Sequence, residues 1–164
     1  MKNRKKKIEK IIQKLCETSH TITFAESCTG GRIAAAFTAI GGASCVLNGS
    51  CIAYSNHIKH RWLNVSNEVL QAHGAVSREC VLQMLEGICK MADSQYAICT
   101  SGIAGPTGGS PQKPVGTVYI GITTPEDTNV YHCFFEGNRE EIQEQSVTFA
   151  IEKMANALKI EDIF

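Results

Sequence analysis

Residues 21–37, TITFAESCTGGRIAAAF, run a short β-branched apolar segment into a small-residue helical segment through two consecutive glycines. Such a run suits a strand buried on both faces, and the spacing after the glycines predicts a helix over 29–39 that ends near Gly41-Gly42. A strand that turns straight into a helix needs further strands beside it and helices over it, and the rest of the chain offers both. Helical spacing marks residues 4–18, and CVLNGSCIAY (45–54) reads as a strand interrupted at Asn48-Gly49 by a turn or bulge. YSNHIKHRWL then reads as a polar turn leading to Trp62 and Leu63. Ser66 is placed to cap a short helix near Glu68–Gln71, and Ser77 to cap a longer one through Met91 with Val81, Leu85, Ile88 and Cys89 on its apolar face. QYAICTS (95–101) is a third strand, followed by a Gly/Pro loop over 102–114. VGTVYIGIT and NVYHCFF alternate like adjacent strands joined at Pro125-Glu126-Asp127. Asn138 with Glu141 forms a capping box for a last helix whose inner face is Ile142, Val147, Ile151, Met154 and Leu158. The order β-α-β-α-β, then β-β-α, predicts an α/β fold, a three-layer α/β/α sandwich over a mixed sheet.

The 164 residues suit one domain spanning 1–164, with a basic N-terminal helix at about 3–18 and a core at about 19–159. Formal charge is zero but uneven: the first fourteen residues hold seven Lys/Arg and one Glu, leaving nine basic against fifteen acidic residues. An acidic body is a poor polyanion binder, so the basic start reads as a solvated helix packed through Ile8, Ile11, Ile12 and Leu15 rather than as a nucleic-acid tether. No secretory apolar region follows the positive residues, and no apolar run approaches the ~20 residues of a membrane span. The eight cysteines include no CxxC pair and mostly sit in apolar runs, which predicts buried, reduced thiols in a cytoplasmic protein.

Three segments offer chemistry. In AESCTGG, Ser27, Cys28 and Thr29 lie at a helix start, where free N–H groups and the positive dipole end favour an anion. An N-cap serine alone would explain that pattern equally well. In YSNHIK, Lys59 could act as general base for a serine if burial lowers its pKa, with Tyr54 relaying the proton; a surface turn is the plainer alternative. His57 and His60 have metal-like spacing without a third ligand, so no metal is expected. GIAGPTGGSPQKP matches no Walker or dinucleotide fingerprint, yet its amides could form an anion nest beside Lys113.

AESCTGG, GSCIAYSNHIKHRWLNV, GAVS, TSGIAGPTGGSPQKPVGTVY and FFEGNREEIQEQSV stand in an order and spacing that resembles the CinA C-terminal domain family, over residues 8–159. It looks like a stand-alone member of the nicotinamide-nucleotide amidase type, without the molybdopterin-binding-like domain that precedes it in longer members. The resemblance implies an anticodon-binding-domain-like fold, no metal or other cofactor, and deamidation of nicotinamide mononucleotide to nicotinate mononucleotide and ammonia. It implies Ser27 as nucleophile with Tyr54 and Lys59 as catalytic partners. It also implies a nucleotide substrate held by Glu26, Thr29, Gly30, Gly31, Gly105, Thr107, Gly108, Gly109, Lys113 and Arg139, with the oxyanion on amides near Thr29–Gly31 or in the glycine loop. Glu26 could orient the turn or bind ribose. The expected partner is that small molecule alone, neither nucleic acid nor membrane, in a homo-oligomer of two or more copies.

Two departures stand out: Gln143 occupies a position where the family often has a second arginine, and CVLNGS replaces a Phe-x-Gly-Gly type strand. Cys28 remains a rival nucleophile, and a catalytically silent nucleotide-binding or protein-interaction module is the alternative to an enzyme.

Overall fold

The computed structural model describes residues 2–160. In chain order the elements are α1 (Lys2–Glu17), β1 (Ile22–Glu26), α2 (Arg32–Thr38), a 3-10 turn (Ala43–Cys45), β2 (Leu47–Ile52), α3 (Asn56–Leu63), α4 (Asn67–Ala72), α5 (Arg78–Ala92), β3 (Tyr96–Gly102), β4 (Thr117–Thr123), β5 (Thr128–Phe134) and α6 (Arg139–Ala157). The five strands form one sheet in the order β2-β1-β3-β4-β5. β1 runs parallel to both β2 and β3, while β4 and β5 are antiparallel. This is the expected mixed sheet in an α/β/α sandwich.

Alternation along the strands sends neighbouring side chains into two separate cores. Ile22, Phe24, Ile98, Val118, Ile120 and Ile122 face the layer of α1, α2 and α6 and meet Ile11, Leu15, Phe37 and Ile151. Ala25, Ala97 and Cys99 face α3–α5 and meet Leu63, Val81, Met84, Leu85 and Ile88. Both faces of β1 are therefore buried, Thr23 and Glu26 included, which is why it lacks a solvent-facing alternation. The predicted inner faces of α1 (Ile8, Ile11, Ile12, Leu15) and α6 (Ile142, Val147, Ile151, Met154, Leu158) are all buried.

The caps also form: Ser66 Oγ accepts from Val69 N, Ser77 Oγ from Cys80 N, and Asn138 with Glu141 makes the full capping box. At Asn48 the β1–β2 register slips by one residue, so the suspected interruption is a bulge inside one continuous strand.

Two expectations need correction. YSNHIKHRWL is a helix rather than a turn, because Ser55 caps it by accepting from Ile58 N and because Lys59 and Leu63, four residues apart, both face inward. Its backbone approaches α5 closely at Gly87, where any Cβ would collide with the Leu63 carbonyl. The cysteines are not all reduced: Cys16 at the end of α1 and Cys45 in the 3-10 turn form a disulfide with Cα atoms 6.0 Å apart. Both are exposed, and they come from segments whose proximity exists only in the fold. The other six are free thiols. Among the described residues no helix is long and apolar enough to cross a membrane.

Candidate active site

The chain leaving β1 crosses to α2 on one face of the sheet, whereas the chain leaving β2 crosses to α3 on the other. Two adjacent parallel strands whose exits diverge leave a crevice at their carboxyl ends, the place where open α/β sheets collect ligands. Ser27 follows β1 into that crevice and Lys59 enters it from α3.

Glu26, the last residue of β1, is fully buried. Its Oε2 accepts from Thr29 Oγ1 at 2.6 Å, Gly31 N at 3.0 Å and Ile33 N at 3.1 Å, and its Oε1 accepts from Ala34 N at 2.9 Å. The first-turn amides of α2 thus spend themselves on a carboxylate from within the protein, which satisfies donors a helix otherwise leaves open. Of the two roles open to Glu26, these bonds are those of a residue that orients the turn. Thr29, also fully buried, bonds to Glu26 and Thr100. Gly30 N donates to Ser27 O and Gly31 N to Glu26, so neither amide is open to an oxyanion.

Ser27 Oγ lies 2.9 Å from Lys59 Nζ. Lys59 is only 1% exposed, and its second hydrogen bond goes to the Tyr54 carbonyl at 2.8 Å. Burial pushes its pKa below the ordinary 10.5, with an opposing pull from the nearby thiols of Cys80, Cys99 and Cys28. A lysine in this condition can exist as the neutral amine, which donates to the Tyr54 carbonyl while its lone pair accepts from the serine hydroxyl. Ser27 N donates to Thr100 O, so the turn is also tied to β3. The next amide, that of Cys28, donates to no carbonyl or carboxylate among the described residues and meets only its own residue's sulfur.

The Cys28 thiol is 4% exposed, and burial pushes its pKa up to about 12. It is held as a thiol despite its place near a helix start, because loss of solvation outweighs the field there.

Tyr54 does not form the expected hydroxyl relay. Its hydroxyl accepts from Arg139 Nη2 at 2.9 Å, and it meets Lys59 only through its carbonyl. Tyr54 is 58% exposed. Arg139 also donates from Nη1 to the Gly105 carbonyl at 2.6 Å, joining the start of α6 to the glycine loop. Gly105 sits at φ +77, where a Cβ would also collide with the Val115 side chain. Thr107, Gly108 and Gly109 are exposed beyond it. Lys113, at the far end of the loop, reaches back with Nζ to the His73 carbonyl at 2.6 Å.

Two participants escaped the sequence reading. Thr100 is the β3 residue opposite Glu26, and its hydroxyl lies 2.8 Å from that of Thr29. Gln143, conspicuous in sequence only as a departure, is buried and donates from Nε2 to the Cys28 carbonyl at 2.7 Å. Its signal was a polar side chain on the inward stripe of α6. Among the described residues no group of three His, Cys, Asp or Glu side chains could hold a metal ion.

Comparison with known proteins agrees with this arrangement of elements. The CinA C-terminal domain model matches residues 4–158. A CinA-like protein of Thermosipho melanesiensis is 45% identical over 153 residues, covering 92% of this chain and 38% of that protein. A CinA-like protein of Thermotoga maritima is 41% identical over 157 residues, 96% of this chain and 38% of that protein. The chain therefore spans about two fifths of the length of these curated relatives. The crystal structure of the competence/damage inducible protein CihA from Agrobacterium tumefaciens superposes with a TM-score of 0.91 at 35% identity, covering 96% of both chains. A CinA superfamily protein from Klebsiella pneumoniae gives 0.91 at 32% identity, over 96% of this chain and 98% of that one. With a family model matched over residues 4–158 and the same fold as these structures over nearly its whole length, this chain belongs to the CinA C-terminal domain family.

Proposed function

We propose that this chain is an amidohydrolase that converts nicotinamide mononucleotide to nicotinate mononucleotide and ammonia, with Ser27 as nucleophile and Lys59 as general base. The observation that carries the reading is the 2.9 Å contact between the Ser27 hydroxyl and a buried lysine whose pKa is lowered. A buried lysine on a serine hydroxyl favours an enzyme over a binding module, because a lowered pKa is what a general base needs near neutral pH.

Neutral Lys59 takes the Ser27 proton as Oγ attacks the carboxamide carbon. The charge that develops on the carboxamide oxygen meets the Cys28 N–H, the amide next to the nucleophile. As the carbon–nitrogen bond breaks, the Lys59 ammonium returns its proton to the leaving nitrogen, and ammonia departs. Water then attacks the nicotinoyl ester with Lys59 again as base, and Ser27 recovers its proton. This is serine–lysine chemistry of the kind that replaces histidine elsewhere.

The exposed Tyr54 ring offers a face to a pyridinium, a cation attracted to an aromatic surface. Arg139, Lys113 and the glycine-loop amides offer positive charge to a phosphate.

The test is ammonia release from nicotinamide mononucleotide by the purified chain. Turnover is expected in the wild type and in Cys28→Ala, with none in Ser27→Ala. Turnover by Ser27→Ala, or a wild type that binds the nucleotide without releasing ammonia, overturns the proposal.

A further inference from the structure

We propose that Gln143 is a positioning residue that holds the nucleophile turn from the opposite helix layer, an inference that rests on the amidase reading above. α6 packs in the layer with α1 and α2, while Lys59 reaches Ser27 from the other side of the sheet. Gln143 is 7% exposed, flanked on the inward stripe by Ile142, Ser146 and Val147, and its amide donates to the Cys28 carbonyl at 2.7 Å. That carbonyl belongs to the peptide between Cys28 and the fully buried Thr29, where water is a poor substitute for a lost donor.

The two peptides that flank Cys28 are held at their carbonyl ends by different groups. Ser27 O accepts from Gly30 N at 3.1 Å inside the turn itself, and Cys28 O accepts only from α6 among the described residues. A trans peptide carries its N–H opposite its C=O, so the bond to Ser27 O sets the direction of the Cys28 N–H, and the Gln143 bond fixes the following peptide so that Cys28 cannot rotate and carry that N–H away. That N–H is the oxyanion donor of the proposed reaction. Gln143 thus touches neither substrate nor the reacting atoms, yet it sets how well the donor is aimed when charge develops. A misplacement of about 1 Å at such a site can cost 10²-fold in rate. An arginine at this position could hold the same carbonyl, so the departure from the family pattern preserves a donor.

The experiment compares Gln143→Leu, which removes the donor, Gln143→Glu, which makes donation depend on protonation, and Gln143→Arg, which restores a donor. Rates are expressed per reactive Ser27, titrated with a fluorophosphonate, so that partly unfolded protein does not count as slow enzyme. On nicotinamide mononucleotide, Gln143→Leu is expected to lower kcat by about 10–100-fold with KM changed less than about threefold. Gln143→Arg recovers most of that loss. The rate of Gln143→Glu relative to wild type rises as pH falls and its carboxyl becomes a donor, whereas the Gln143→Leu ratio stays flat. A kcat per titrated Ser27 within twofold of wild type in Gln143→Leu, or equal pH dependence in all three variants, overturns the proposal. If the wild type releases no ammonia, the amidase reading fails instead, and the fluorophosphonate reaction rate of Ser27 becomes the readout. It is then expected to fall in Gln143→Leu, and an unchanged rate refutes the positioning role by itself.

Discussion

Replacing Glu26 by alanine removes four hydrogen bonds at once: those from Thr29 Oγ1, Gly31 N, Ile33 N and Ala34 N. A helix cap alone is worth about 1 kcal/mol, and hydrogen bonds to a charged group about 1.5–3 kcal/mol each. The sum overstates the effect, because the variant no longer has to bury a carboxylate. Each buried donor left without an acceptor costs about 1–3 kcal/mol, so the expected net loss for Glu26→Ala is about 3–5 kcal/mol. Glu26→Gln separates cap from charge. Its one oxygen can replace Oε2, which accepts three of the four bonds, leaving an NH₂ group against Ala34 N. The loss should then be smaller, about 1–3 kcal/mol. Urea unfolding followed by far-UV circular dichroism measures both, provided the slope with denaturant stays constant. A loss below about 1 kcal/mol for Glu26→Ala would refute the claim that this carboxylate holds the start of α2. It would also reopen the helix terminus as a ligand site.

Further outcomes follow from other contacts. Folding lowers the Lys59 pKa below 10.5, so the unfolded chain binds more protons between the lowered value and 10.5, and stability rises with pH through that window. Lys59→Met lacks this slope: its stability relative to wild type is most favourable near neutral pH and declines as pH approaches 10.5, checked by urea melts at several pH values, and a pH-independent difference contradicts it. Wild-type kcat/KM should rise with pH through the same lowered pKa, and a flat profile would deny Lys59 the role of base. Cys16→Ser opens a cross-link between residues 29 apart, with an expected loss of about 3–4 kcal/mol under oxidising conditions and none beside fully reduced wild type. Arg139→Ala frees both the Tyr54 hydroxyl and the Gly105 carbonyl, and should raise KM for the nucleotide at least tenfold while leaving Ser27 reactive to a fluorophosphonate; unchanged KM would remove Arg139 from the site.

The fold was legible wherever burial imposes a period. β1 shows no polar face because both its faces are covered, and α1, α5 and α6 show their inward stripes in sequence. α3 was not legible, because its inward face includes a lysine and pattern reading treats lysine as solvent-facing. That one misplaced residue type hid the helix while marking its chemistry. The pairing of Ser27 with Lys59 was anticipated from motifs, but the assignment of the helix amides was not. Their partner is Glu26, for which the sequence leaves two roles open, orienting the turn or binding ribose, because no local pattern says which amides a buried carboxylate will meet. The disulfide and the bond from Gln143 to Cys28 join segments 29 and 115 residues apart, and no local spacing encodes either.

The most direct test of the account is to stop the reaction of the purified chain with nicotinamide mononucleotide by rapid acid quench and map the peptides by mass spectrometry. A nicotinoyl group on Ser27, accumulating before steady state and absent from Ser27→Ala, is the predicted result. Ammonia release with the acyl group on Cys28, or with no covalent adduct in any quench interval, would contradict it.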